Sequence, residues 1–350
     1  MRQKVSNPKV DHILVTGAAG FMGSHLVDYL IKSGYKKVFS LDDLSGGFER
    51  NVNKKTIFFK HDLSDEYKTE KLINKIKPKL LYHLAADAAE GRSQFVPKSC
   101  TKRNLVSYLN ILIPSIKNKL KRVVLTSSMS VYGSQQAPFA EEMYPKPEDI
   151  YGVNKFAMEK STQVMAEVFN FEYVILRPHN VYGPRQNFSD PYRNVVAIFI
   201  NSILRGKNFY IYGDGNQKRA FTYINDCTPY IAKAGFLEKA NRQIINIGPE
   251  KEYSINELAS LVLKVFFGSK IPKKFKPEYL PIRPQEVIEA YCTSEKARIL
   301  LGYKTRTNLR NGIKKTIQWA EKLGPQKPVY LKEFELVSEK LPLTWRDNLI

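Results

Sequence analysis

The chain has 350 residues, 43% of them hydrophobic and 25% charged, which suits a soluble globular protein with one large domain or a large and a small one. Cys100, Cys227 and Cys292 lie far apart without a CxxC pair, and the five histidines show no ligand-like spacing, which argues against a disulfide framework and against a metal site. The formal net charge of +21 is scattered along the chain, so it reads as a basic surface that steers an anionic substrate, in preference to a nucleic-acid interface.

The opening MRQKVSNPKVDH carries no apolar signal core, and no apolar run reaches membrane-spanning length. The expectation is a cytoplasmic protein without a membrane partner. Residues 10–34 form the first organised stretch. Residues 12–16 predict a short buried parallel strand. Gly17-Ala18-Ala19-Gly20-Phe21-Met22-Gly23 follows. Met22, Leu26 and Leu30, flanked by Val27 and Ile31, then mark a helical stripe that Gly34 stops. A strand, a glycine-rich turn and a helix place bare N–H groups at a helix N-terminus, where a pyrophosphate can sit. Gly17, Gly20, Phe21, Met22 and Gly23 are therefore candidate dinucleotide ligands.

The second strand, 38–41, runs into Asp42-Asp43. A carboxylate at that tip can hold the adenosine ribose hydroxyls and repels a 2′-phosphate, so NAD is expected over NADP, with Asp42 preferred to Asp43. A third strand at 56–59 precedes Asp62-Leu63, and a helix at 66–76 cannot pass Pro78. The fourth strand, 80–84, ends in His83-Leu84-Ala85-Ala86. Residues 99–119 predict a long helix, kinked or broken near Pro114. The fifth strand, 122–126, leads into Ser127-Ser128. A helix at 151–170 and a sixth strand at 173–177 complete the pattern. Such alternation predicts an α/β fold with a doubly wound parallel sheet and ligands at the strands' carboxyl ends.

Past Arg177 the periodicity loosens. A helix at 195–204, short strands at 209–212 and 220–224, and a helix at 256–267 are expected, then an extended segment punctuated by Pro272, Pro277, Pro281 and Pro284. This region reads as a smaller C-terminal substrate-binding domain. The expected boundaries are 1–178 for the cofactor domain, 179–325 for the second domain, partly interleaved with the first, and 326–350 for a tail without clear periodicity.

Tyr151 and Lys155 stand four apart on the predicted helix and share a face. The Lys155 ammonium, with a bound nicotinamide cation, is expected to favour the ionised Tyr151 phenol and make it a base. Ser128, or Ser127 in its place, ends a strand where it can hydrogen-bond the same substrate oxygen. Both serines also fit as turn formers.

With these motifs the chain resembles an extended short-chain dehydrogenase/reductase of the NAD-dependent sugar-nucleotide epimerase/dehydratase family. The matching residues run from Thr16–Gly23 through Asp42, Asp62-Leu63, His83–Ala86, Ser127-Ser128 and Val131-Tyr132-Gly133 to Tyr151 and Lys155. Then come Arg177–Gln186, Tyr212–Gly215 with Arg219, and Arg283-Pro284. The resemblance implies a Rossmann domain binding NAD through the glycines and Asp42, with Asp62 and Leu63 at the adenine. It places Leu84, Ala85 and Ala86 along the nicotinamide half and Lys155 at its ribose. It implies Asn180, Arg219 and Arg283 as ligands of a nucleotide-sugar diphosphate. It also implies a homodimer through the helices at 99–119 and 151–170.

Dehydratases of the family carry an Asp-Glu pair after the active-site hydroxyl residue, and decarboxylases a Glu. This chain has Met129-Ser130, as 4-epimerases have small or apolar residues there. The expected activity is therefore NAD-dependent epimerisation of a UDP-sugar at C4 through a transient 4-keto sugar. Another family reaction (dehydration, decarboxylation or 3,5-epimerisation) is the alternative, and an NAD-bound regulatory or RNA-associated protein is the non-enzymatic one. Seven residues after Arg283, the resemblance puts Ala290 beside the C2 substituent of the sugar, as a gate that admits an N-acetyl group. In the competing reading Tyr291 faces the sugar.

Overall fold

The computed structural model describes residues 12–350. The amino-terminal segment read as free of a signal core lies outside them up to residue 11. β1 (Ile13–Thr16), β2 (Val38–Asp42), β3 (Ile57–Lys60), β4 (Leu80–His83), β5 (Arg122–Thr126) and β6 (Glu172–Pro178) form a parallel sheet with the later strand Gln243–Ile247. Its order is Gln243–Ile247, β6, β5, β4, β1, β2, β3. The order reverses direction between β1 and β4, and a doubly wound sheet opens its ligand crevice at that point.

Alternation along the strands builds two cores. Ile13, Val15, Leu80, Tyr82, Val124, Val174 and Leu176 pack on one face with Leu26, Val27 and Leu30 of α1 (Phe21–Lys32) and Ile231 of the helix Ile224–Ala234. Leu14, Leu81, Val123, Leu125, Tyr173 and Ile175 pack on the other. Their partners there are Ile73 of α2 (Glu66–Ile76), Ile111 of Ser107–Lys117 and Met158 of Ile150–Phe169. Period-2 strands with both faces apolar require helices on both sides, which is the layered α/β arrangement.

Local chemistry sets the helix ends. Asp65 caps α2 by accepting from Lys68 N at 3.0 Å, and Lys77 closes it in the left-handed region at φ 50°, just before Pro78. Asp149 caps Ile150–Phe169 by accepting from Gly152 N at 2.8 Å. The helix expected at 99–119 is interrupted elsewhere than at Pro114. It starts at Pro97, widens to a π turn over Lys102–Val106, and continues as Ser107–Lys117 straight through Pro114. The widened turn is held from the side chains, with Ser107 Oγ donating to the Lys102 carbonyl at 2.9 Å and Asn104 Nδ2 to the Cys100 carbonyl at 2.9 Å.

The second unit covers the carboxyl ends of the strands. Lys218–Ala220 pairs with Glu252–Ser254 and Glu289–Ala290, and Tyr210–Tyr212 pairs with Glu278–Leu280. The helices Val195–Leu204, Ile255–Phe267 and Leu309–Leu323 pack around them. The strand expected at 220–224 is in fact two short strands, Lys218–Ala220 and Thr222–Tyr223, and a helix begins at Ile224. Because Gln243–Ile247 returns to the main sheet beside β6, the two units share one core.

Glu159 and Arg177 are each about 1% exposed, and their bidentate pair spans 2.6 and 2.9 Å. Glu159→Ala strands a buried guanidinium. It should cost about 3–5 kcal/mol in a urea melt, whereas Glu159→Leu with Arg177→Met should recover most of the loss.

Candidate active site

The crevice at the switch point opens into a cleft of about 860 Å³ lined by both units. Thr16 and His83 face each other across β1 and β4, with Thr16 Oγ1 3.0 Å from His83 Nδ1. The same hydroxyl accepts from the Leu84 and Ala85 amides at 3.2 Å. Burial lowers the His83 pKa to about 3, so the ring is neutral. This network fixes the backbone of Leu84, Ala85 and Ala86 along the cleft wall.

Gly17 turns the chain at φ 65°, and a Cβ there would lie 2.8 Å from Ala85 N. A Cβ on Gly23 would lie 2.0 Å from the Gly17 carbonyl oxygen. α1 therefore begins in contact with its own loop, and only bare backbone allows it. Gly20 is its N-cap without a side-chain capping bond, and the first turn holds no acidic residue. Its N–H groups and positive dipole end remain available to a phosphate. Asp42 accepts from Ala19 N at 3.0 Å and Leu44 N at 2.8 Å, which locks the carboxylate at the cleft edge. Burial raises its pKa against those two bonds. Asp43 instead closes on Ser45, accepting from its amide and hydroxyl at 2.8 and 2.6 Å. Asp62 and Leu63 line the same end of the cleft. These groups fit a dinucleotide: a bare helix N-terminus for the pyrophosphate and a fixed acceptor for ribose hydroxyls.

At the reacting end Ser128, Tyr151 and Lys155 come together. The Ser128 hydroxyl stands beside the Tyr151 phenol and favours its ionised form. Lys155 Nζ donates to the Thr126 carbonyl at 2.8 Å and lies 5.6 Å from the Tyr151 ring centre. Ser127 also lines the cleft, but its hydroxyl is committed inward to Glu159 Oε1 at 2.5 Å, which leaves Ser128 as the one of the pair placed beside Tyr151. One expectation is corrected here. The protein by itself does not lower the Tyr151 pKa; burial, and then the charge of Glu90, hold the phenol well above its ordinary range. Burial also brings Lys155 down to about 8. The positive charge that would offset these effects belongs to a bound nicotinamide ring.

In the second unit, Asn180 opens to the cleft and donates to the Ala220 carbonyl at 3.0 Å. Arg219 and Arg283 converge on Glu286, at 2.9 and 2.6 Å. Both Nη atoms of Arg219 also reach main-chain carbonyls of Lys218, Val287 and Ile288. Ala290 lines the cleft in a small apolar cluster with Met129 and Phe139, while Tyr291 is not among the lining residues. Three acidic residues at this site were missed from sequence. Glu286 follows Arg283 by three, a spacing that could have suggested the pair. Asp149 was readable as the cap two residues before Tyr151. Glu90, in the stretch Ala88-Ala89-Glu90-Gly91, carries no signal of its own. The tail was also missed as part of the site: Tyr330, Thr344, Trp345 and Ile350 line the cleft.

Fold and cleft together define a dinucleotide-dependent enzyme with a serine, a tyrosine and a lysine at the reacting end. Residues 13–248 match the NAD dependent epimerase/dehydratase family. The chain belongs to that family, and its cofactor is NAD. It is 33% identical over 315 residues to the UDP-glucose 4-epimerase of Mycolicibacterium smegmatis, covering 87% of this chain and 97% of that one. The UDP-glucose 4-epimerase of Thermotoga maritima, solved with UDP-glucose, superimposes with a TM-score of 0.82 at 33% identity, over 89% of this chain and 99% of that one. The UDP-glucuronic acid 4-epimerase of Bacillus cereus, solved with UDP-glucuronic acid and NAD, gives 0.80 at 31% identity, over 89% and 99%.

Two measurements check the cofactor half. By calorimetry NADP should bind about a hundredfold more weakly than NAD, and Asp42→Asn should narrow that gap. Gly23→Ala should abolish NAD binding, because its Cβ and the Gly17 carbonyl cannot share the space.

Proposed function

We propose that the protein epimerises a UDP-sugar at C4. The observation that carries this reading is the convergence of Ser128, Tyr151 and Lys155 at one end of the NAD cleft, with apolar Met129 behind them and no acidic pair in that loop. Relatives named as UDP-glucose 4-epimerases support this reading, alongside others named as UDP-sugar decarboxylases. NAD, when bound, supplies a two-electron acceptor that gives back what it takes. The chain's own residues handle the proton and the orientation. Ser128 donates a hydrogen bond to the C4 oxygen. Tyr151 takes the C4 hydroxyl proton as that carbon becomes a ketone and returns it once the sugar has presented its other face. Lys155 holds the cofactor ribose and, being cationic below about pH 8, favours the phenolate. Arg283 and Asn180 hold the diphosphate while the sugar turns, with Arg219 bracing Arg283 through Glu286.

Ala290 is the gate in this reading. It stands in the cleft wall beside Met129 and Phe139, where a methyl leaves room for an N-acetyl group at C2. One observation favours a second reading. Glu90 brings a carboxyl within 3.5 Å of Ser128 Oγ from an element that the sequence comparison with dehydratases did not consider. Loss of water from the sugar needs such an extra acid or base. We further propose a homodimer, because Ile113 on Ser107–Lys117 and Val153, Val164 and Val168 on Ile150–Phe169 form exposed apolar positions on adjacent helices. Light scattering at twice the chain mass would bear that out.

Incubation with a panel of nucleotide sugars and NMR of the products separates the two reactions, since epimerisation yields the C4 epimer and dehydration a 4-keto-6-deoxy sugar. Tyr151→Phe should keep NAD binding and lose about a hundredfold or more in turnover. Ala290→Tyr should abolish turnover of the N-acetyl sugar and spare the plain hexose; equal loss of both would remove the gate.

A further inference from the structure

Glu90 begins the short helix Glu90–Ser93, in the segment between β4 and the helix that starts at Pro97. Its side chain is open to the cleft. Ser128 Oγ stands 3.5 Å from Oε1. Among the described residues no lysine, arginine or histidine forms an ion pair with it. The charged groups that face it are Asp149, Arg219, Arg283 and Glu286, with the Tyr151 phenol alongside. Both arginines are committed to Glu286, at 2.9 and 2.6 Å. Asp149 is occupied by Gly152 N at 2.8 Å and Ser130 Oγ at 2.9 Å. Glu90 is thus an acceptor without a cation, at the point where the ring of a bound sugar must pass.

We propose that Glu90, backed by Asp149, is a charge filter: it accepts hydroxyls of a neutral hexose ring and turns away a sugar that carries a carboxylate. The proposal rests on the reading of the cleft as a UDP-sugar site. Its chemistry is simple. Ser128 and Tyr151 hold the reacting oxygen, so a group in reach of Ser128 lies beside the neighbouring ring substituents. A hydroxyl there donates to the carboxylate. The carboxylate group of a uronate has no proton to give, and two acceptors of like charge repel. The nearby guanidiniums do not relieve this, since Glu286 and a bound diphosphate use them. The family contains enzymes of both kinds, and the Bacillus cereus relative was solved with UDP-glucuronic acid. A feature of this chain's own must therefore make the choice.

The filter titrates. The confined cleft, and then the Asp149 carboxylate, raise the Glu90 carboxyl above its ordinary range. At high pH Glu90 is charged and repels a uronate. At lower pH it is neutral and can donate to one. Discrimination is therefore present at high pH and lost as pH falls, while the sugar carboxylate stays ionised throughout.

The test is calorimetry on the NAD-loaded protein with UDP, UDP-glucose and UDP-glucuronate, for wild type and Glu90→Gln, with Glu90→Ala as the second variant. At about pH 8 wild type should prefer UDP-glucose to UDP-glucuronate by about tenfold or more, and the preference should shrink at about pH 6. Glu90→Gln should bring the two within about threefold at both pH values, because a neutral amide neither repels the uronate nor titrates. The pH dependence in wild type stands as evidence even if a variant fails to fold. Equal affinities in wild type at the higher pH, or a preference that Glu90→Gln leaves intact, would overturn the filter and leave the UDP-sugar reading standing. Failure of UDP and UDP-glucose alike to bind would overturn that reading, and the filter with it.

Discussion

Glu159 and Arg177 meet in the interior at 2.6 and 2.9 Å, and Ser127 donates to the same carboxylate at 2.5 Å. Three elements join there: the helix Ile150–Phe169, β6, and the turn that follows β5. Tyr151, Lys155 and Glu159 recur every fourth residue and so lie on one face of the helix. Anchoring Glu159 to the sheet fixes the rotation of that face. Tyr151 and Lys155 then have one place to go, the carboxyl end of β5, where Ser128 waits. The Lys155 bond to the Thr126 carbonyl at 2.8 Å repeats the anchor one turn earlier. A buried ion pair is seldom a large net gain in stability, because both charges lose their water. Its value here is geometric, since it permits one arrangement of helix and sheet.

The cleft draws on charge without depending on the chain's net charge. At the cofactor end the attraction for phosphate comes from backbone N–H groups and a helix dipole. In the second unit Glu286 gathers the Arg219 and Arg283 guanidiniums at one point, so they are ordered in advance of any ligand. Between the two, Glu90 and Asp149 make the reacting end locally acidic within a chain of net charge +21. The tail steadies this region. Glu335 accepts from the amides of Lys98 and Ser99 at 2.8 Å and so caps the helix that starts at Pro97. Trp345 packs on Phe95 and Tyr192, with its ring 3.2 Å from the position of a Cβ on Gly91. The segment that carries Glu90 is held from outside by residues more than two hundred positions away.

Much of the first half was legible because its signals are local. Period-2 strands, helical stripes, Pro78 and the glycine turn specify β1 to β6 and their helices within a residue or two. Asp42 is preferred to Asp43 by position alone, and the structure distinguishes the two: Asp43 is closed on Ser45, while Asp42 is braced by the glycine loop. Beyond Arg177 the strands have two to five residues and pair with partners far away in sequence. Period says little over such lengths. The strand Gln243–Ile247 escaped for that reason, whereas the helix Ile224–Ala234 was masked by Pro229 in its interior. Pro114 misled in the other direction. A proline removes one helical hydrogen bond, and packing of Ile111, Leu112 and Ser115 in the core outweighs that loss.

By itself the sequence determined the doubly wound sheet, the cofactor, the ligand position at the strand ends and the shared helix face of Tyr151 and Lys155. Each follows from neighbours in the chain or from a spacing on one helix. Only the tertiary structure decided the electrical state of that site. The Tyr151 phenol is raised, not lowered, because burial and Glu90 act on it across space. The two arginines share Glu286 for the same reason, and the tail closes a wall it does not resemble in pattern. A pKa depends on every charge and dipole within several ångströms, and folding brings those together from segments that carry no mark of one another.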